Sequence, residues 1–196
     1  MESLFTAHVA TLSEALAGLG EQSAEMEAAA AAIADSLHGG GKVLAAGNGG
    51  SAAEAQHFTA ELLGRLRPDR DRAPLAAVAL HADTSTLTAA GNDYGYDEVF
   101  ARQVRGLGRA GDVFLGLSTS ATSANVVRAA RAARELGMVT IALVGARQGP
   151  LHDVSDHVLA VPSTQIGAIQ EAHLVLVHVL VERAEDLLFG PDWSTD

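Results

Sequence analysis

The chain predicts an α/β protein, a five-stranded parallel sheet flanked by helices in three layers, with two further helices at its N-terminus. Three observations carry this. From Lys42 onward, continuous apolar runs such as DVFLGLS and MVTIALVG alternate with stretches of helical spacing. Runs without polar alternation suit strands buried on both faces, the condition of a parallel sheet covered by helices. A length of 196 residues suits one compact α/β domain.

The elements follow in order. Leu4, Val9, Leu12 and Leu16 recur at helical intervals until Gly18 and Gly20 break the pattern. A second helix runs from about Glu21 to Leu37 and ends at Gly39-Gly40-Gly41. Its alanine run lets another helix approach closely, and a bundle shared with a second subunit would give both helices something to pack on. KVLAAGN reads as the first strand, SAAEAQHFTAELLGRL as a helix and PLAAVAL as the second strand. HADTSTLTAAGNDYGYDEVFARQVRGLG holds a short helix, a Gly/Asn/Asp turn and another helix. DVFLGLS is the third strand, ATSANVVRAARAARELG a helix, MVTIALVG the fourth strand and DHVLAV a short fifth. The last helix begins near Gln165 and reaches about Phe189. With no repeat or linker, residues 1–196 read as a single domain: N-terminal helices over 1–40, then the α/β core and C-terminal helix over 41–196.

A formal net charge of −11 argues against nucleic acid and anionic membranes as partners. It leaves room for a phosphorylated metabolite, provided backbone amides supply the positive end. The chain has no cysteine, so disulfides, thiolate nucleophiles and Cys-ligated metals are excluded. MESLFTAHVATLSEAL lacks the pattern of a signal peptide, and no apolar run approaches the roughly 20 residues of a membrane span. A cytoplasmic protein is expected.

Open parallel sheets bind ligands at the carboxyl ends of strands, where the strand order reverses. In a flavodoxin-like order, 2-1-3-4-5, the loops after the first and third strands meet there. These loops are GNGGS and STSATS. Every residue from Ser118 to Ser123 except Ala121 carries a hydroxyl, more than the single one an ordinary N-cap needs. Hydroxyls and free amides at a helix start suit a phosphate. GNGGSA has neither the Gly-Lys-Ser/Thr of a Walker loop nor the spacing GxGxxG, which disfavours those nucleotide-binding families. His57 and Glu61 lie one turn apart on one helix face. The last helix sets Gln170, Glu171, His173 and His178 among Leu and Val. Buried polar groups need partners, and two readings stay open: mutual coordination of a metal, or satisfied core histidines. Gln170 and His178 are separated by a rise of roughly 12 Å, so spacing does not decide which residues ligate.

Four segments in order, GNGGSAAEAQHFTAELLGR, GNDYGYDEVF, STSATSANV and IQEAHLVLVHVL, resemble the sugar-isomerase (SIS) domain, and most closely its sedoheptulose-7-phosphate (phosphoheptose) isomerases. The resemblance spans nearly the whole chain. It implies a homotetramer with active sites between subunits and one zinc ion per subunit. The zinc ligands fall on His57, Glu61, Gln170 and His178. Ser118, Thr119, Ser120 and Ser123 match the phosphate loop, and Asn48, Gly49, Gly50 and Ser51 the wall near the substrate. Asn92 and Asp93 match positions that contact the sugar, as does Arg65. The implied reaction turns sedoheptulose 7-phosphate into D-glycero-D-manno-heptose 7-phosphate through an enediol, with Glu61 as base, His178 as the second acid–base group and zinc polarising the carbonyl.

Two departures stand out. Ala121 and Thr122 replace the Gly and Asn common in the family's phosphate loop, which argues against a left-handed backbone at 121 while keeping polarity. Ile166 and Ala168 stand where the family often has Thr and Arg, leaving Thr164 or Gln165 to compensate or a different sugar phosphate to be bound. A rival from another class is a non-catalytic SIS relative that binds the bacterial replication initiator, whose tail resembles LLFGPDW here. It lacks the carboxylate and second histidine of the metal set, and Glu61 and His178 favour the enzyme. An SIS isomerase for another phosphosugar, such as a pentose 5-phosphate, is the third reading.

Overall fold

A computed structural model describes residues 3–190; Pro191 to Trp193 of the LLFGPDW tail lie outside the described residues. Two helices, α1 (Leu4–Leu19) and α2 (Ser23–His38), precede β1 (Val43–Ala46) and α3 (Gly50–Leu63). Then come β2 (Ala77–Ala79), α4 (Thr84–Tyr94), α5 (Val99–Leu107), β3 (Val113–Ser118) and α6 (Ala124–Glu135). β4 (Val139–Val144), α7 (Pro150–Asp153), β5 (His157–Ala160) and α8 (Ile166–Phe189) complete the chain. All strand pairs are parallel and the order is β2-β1-β3-β4-β5, as the sequence predicts.

Strand side chains alternate between two cores. Val43, Ala45, Leu115, Leu117, Ile141 and Leu143 join one face, which α1, α2, α3 and α8 cover. Leu44, Ala46, Phe114, Ala142 and Val144 join the other, against α4 to α7. Burial on both faces explains why these strands read as unbroken apolar runs. Both N-terminal helices pack on α8 of their own chain.

The break between α1 and α2 lies later than expected. A 3₁₀ turn spans Gly20–Gln22 and α2 starts at Ser23. The reason is tertiary: Gln22 donates to the Ala160 carbonyl at 2.6 Å and accepts from its amide at 2.8 Å. Glu25 accepts from the Val158 amide at 3.2 Å, so polar side chains of this segment cover the free edge of β5. The expected Gly/Asn/Asp turn is a correction of another kind. Gly91, Asn92 and Asp93 are helical, in the last turn of α4, and the chain reverses only at Gly95, where φ is 84°. Asp83 starts this helix by accepting from the Ser85 and Thr86 amides, and a glycine in the left-handed region ends it.

Candidate active site

The carboxyl ends of β1 and β3 are adjacent, so their following loops converge as the strand order requires. They are joined by a reciprocal amide pair. Asn48 Nδ2 donates to Asn125 Oδ1 and Asn125 Nδ2 donates to Asn48 Oδ1, each at 2.9 Å. Tyr96, just after α4, adds a bond from its hydroxyl to Asn48 Oδ1 at 3.1 Å. Glu98 holds that segment against α6 through Arg128 at 2.6 Å. The Arg128 guanidinium, with Arg105 behind it, keeps the Glu98 carboxyl below the usual carboxylate range. Asn125 and Tyr96 escaped the sequence reading: each looks like an ordinary helix or turn residue until the loops are brought together.

The hydroxyl loop is wired internally. Ser118 Oγ lies 2.9 Å from Ser123 Oγ and 3.5 Å from Ser120 Oγ, and Ser120 Oγ lies 2.9 Å from Thr122 Oγ1. Ser123 is the N-cap residue of α6 but makes no side-chain cap hydrogen bond. The hydroxyls therefore do not serve as a cap, the ordinary alternative to phosphate binding. Ala121 reverses the expectation drawn from its identity. Its φ is 58°, the left-handed value, and among the described residues it is the one non-glycine with positive φ. Its amide bonds to the Ser118 carbonyl at 3.0 Å, and its carbonyl accepts from Leu151 at 3.1 Å. The loop's closure, held from both sides, imposes the conformation despite the Cβ.

Thr119 and Ser120 line a cleft of about 110 Å³ with Arg147, Thr164, Ile166 and Ile169. Thr164, though not Gln165, lines this cleft beside Ile166, and Arg147 is a cation the sequence reading missed. A larger cavity of about 650 Å³ opens beside the edge strand β2, between α3, α4 and α5. Its wall, including Leu63, Val78, Ala90 and Leu107, is mainly apolar and holds none of the expected site residues.

α3 and α8 run alongside each other and present a ladder of polar contacts. Gly50 lies against the Gln170 amide, so closely that a Cβ there would collide with it. Gly49, with φ of 57°, makes the turn into α3, and Ser51 is buried behind it. One turn on, His173 is buried in the core, with Nε2 3.1 Å from the Val144 carbonyl and Nδ1 3.5 Å from Glu54. His57 Nε2 lies 2.9 Å from His178 Nε2 and 3.4 Å from Glu61 Oε1. Of the two readings for the α8 histidines, His173 is thus a core histidine and His178 faces α3.

The expected metal set is brought together in part. Among the described residues, no group of three or more His, Cys, Asp or Glu side chains is arranged to hold a metal ion. His57 and His178 touch each other, and Gln170 rests on Gly50 instead. The donors are nonetheless of the right kind. Zinc with bonds of about 2.0–2.1 Å separates tetrahedral donors by roughly 3.3 Å, close to the His57–Glu61 distance. Two imidazoles and a carboxylate fit that chemistry, while the Gln170 amide lies against Gly50. Asn92 and Asp93 are exposed at the end of α4 and bond to each other at 2.8 Å. Arg65 pairs with Asp71 at 3.5 Å, in the segment after α3.

Residues 5–145 match the SIS domain family. A phosphoheptose isomerase of Rhodospirillum rubrum is 48% identical over 188 residues, covering 96% of this chain and 99% of that protein. The chain belongs to the phosphoheptose isomerases of the SIS family. Two solved structures agree in fold. A phosphoheptose isomerase from Neisseria gonorrhoeae superposes with a TM-score of 0.86 at 45% identity, covering 93% of this chain and 97% of that one. One from Francisella tularensis gives 0.89 at 38% identity, covering 95% and 100%. In this member of the family, no helix among the described residues is long and apolar enough to cross a membrane.

Proposed function

We infer that this chain interconverts sedoheptulose 7-phosphate and D-glycero-D-manno-heptose 7-phosphate. The observation that carries the reading is the junction of the two loops: the Asn48–Asn125 pair holds GNGGS beside a hydroxyl loop that is not spent on capping α6. Ser118, Thr119, Ser120 and Ser123, with the first-turn amides of α6, bind the phosphate. Asn92 and Asp93 contact the sugar hydroxyls, and Arg65 swings from Asp71 to do so. With the phosphate anchored, C1 and C2 lie over the wall of Asn48, Gly49, Gly50 and Ser51, facing α3 and α8.

Glu61 takes a proton from C1 of the ketose and returns it to C2. His178 donates a proton to O2 as the enediol forms and accepts one from O1 as the aldehyde forms, so the two groups end the turnover as they began it. Their shared neighbour His57 keeps both within reach. His57, Glu61, Gln170 and His178 would hold a zinc ion, which when bound supplies Lewis-acid polarisation of the substrate carbonyl. The support for it is the donor set.

A cytoplasmic homotetramer is the further part of this reading. Its substrate is an anionic sugar phosphate, and Leu4 and Phe5 on α1 are 88% and 77% exposed, with Val175 and Val179 also exposed on α8. Light scattering on the purified protein checks the assembly, and a monomer at micromolar concentration refutes it. For the reaction, Glu61→Gln keeps the fold and lowers kcat by roughly 10²–10⁴-fold. Exchange of the C1 proton into deuterated water is followed by NMR with heptulose and pentulose phosphates side by side. Full exchange in the variant rules out Glu61 as base, and exchange of the pentose phosphate alone rules out the heptose.

A further inference from the structure

Arg72 lies in the connection between α3 and β2, outside every motif the sequence analysis singled out. Its side chain is 2% exposed and pairs with Glu185 of α8, whose side chain is 1% exposed, at 2.6 Å. The same guanidinium donates to the Glu61 carbonyl at 2.9 Å, the Leu62 carbonyl at 2.8 Å and the Gly64 carbonyl at 3.3 Å. These carbonyls close the C-terminal end of α3, where a helix leaves acceptors unpaired and favours a cation. Arg72 is therefore both the cap of α3 and the tie between α3 and α8. Glu185 sits two turns beyond His178 on α8. One buried ion pair thus joins the helix end bearing Glu61 to the helix bearing His178.

We propose that Arg72 and Glu185 are positioning residues for the isomerisation, holding Glu61 at its working distance from His178 through the backbone of the last turn of α3. The inference rests on Glu61 being the base. Lysine is not an equivalent: a single ammonium cannot span the Glu61 and Leu62 carbonyls and the Glu185 carboxylate as a planar fork does. Removing Arg72 alone would strand Glu185, whose Oε1 takes the Arg72 bond and whose buried Oε2 has no hydrogen-bond partner. The informative variant removes both charges, because a buried ion pair replaced by apolar side chains of similar size commonly keeps its stability.

The experiment compares the wild type, Arg72→Met/Glu185→Met, Arg72→Lys and Glu61→Gln, all as full chains. We measure kcat and KM for sedoheptulose 7-phosphate, the melting temperature, and amide hydrogen exchange of the last turn of α3. A displacement of about 1 Å costs roughly 10²-fold in rate. The double variant is therefore expected to lose about 10- to 100-fold in kcat with KM within about twofold, since the phosphate grip is remote. Faster exchange at residues 61–64 accompanies the loss. Arg72→Lys falls between it and the wild type. Wild-type kcat in the folded double variant overturns the proposal. If the double variant does not fold, Arg72→Lys decides: lowered kcat at constant KM supports the clamp, and unchanged kcat overturns it. Glu61→Gln separates the two claims. An active Glu61→Gln sinks the base assignment, whereas an inactive one beside a fully active double variant sinks the clamp alone.

Discussion

The reciprocal amide pair between Asn48 and Asn125 makes a quantitative claim. Asn125 is 4% exposed, and each asparagine gives the other one hydrogen bond at 2.9 Å. A neutral hydrogen bond contributes about 1 ± 0.5 kcal/mol net. Asn125→Ala removes both shared bonds and the bond from the Val126 amide at 3.0 Å, so it is expected to cost about 2–3 kcal/mol. Asn48→Ala removes the same shared pair and the Tyr96 bond, for about 2–3 kcal/mol. Because the two variants lose the same two bonds, the double variant should cost about 1.5–2 kcal/mol less than their sum. Urea unfolding of all four proteins at one protein concentration measures that coupling. The fold predicts that KM rises in all three variants, since the pair sets the distance between the substrate wall and the phosphate loop. Additivity within about 0.3–0.5 kcal/mol would mean that the loops are held by something else.

Two further outcomes follow from the loops. Ala121→Gly should stabilise the protein by about 1 kcal/mol, because glycine adopts the left-handed conformation at little cost. A rise of about 2–4 °C in the melting temperature is the expected reading, and a fall refutes imposed strain at this position. His81, in the loop after β2, has both ring nitrogens buried without a partner, and burial lowers its pKa below the ordinary 6.5. As pH falls below 6.5 the unfolded chain binds the proton before the folded one does, so stability is lost towards acid. Thermal melts from about pH 7.5 to pH 5.5 should show a shallower loss for His81→Gln than for the wild type; equal slopes exclude His81 as the source.

The sheet was legible in the sequence because β3 and β4 are buried along almost their whole length, which leaves no alternation to misread. Their order followed from topology rules and placed the two loops correctly. What escaped were features set by tertiary partners. The start of α2 answers to the edge of β5, and GND stays helical because Asp83 and Gly95 fix the limits of α4 from outside the tripeptide. Ala121 adopts a conformation that its own Cβ opposes, since bonds to Ser118 and Leu151 determine it. Within the site, residue types were readable but pairings were not. Spacing alone could not assign Gln170 to Gly50, His173 to Glu54 and His178 to His57, because it says nothing of the helix opposite. Arg72 had no signal at all, one basic residue among several in an irregular segment.

The contact between Gly50 and Gln170 has a consequence for how this chain tolerates change. The atoms that a Cβ at position 50 would meet are the far end of a flexible side chain, so Gly50→Ala can be accommodated, but only by turning the Gln170 amide aside. Such a substitution relocates Gln170 without altering its chemistry, which replacing it cannot do. In a lineage drifting under selection for turnover, the two positions are bound to each other: a side chain gained at position 50 moves the Gln170 amide. A saturation library at position 50, scored separately for folding and for turnover, would therefore record substitutions that keep the protein folded while displacing Gln170.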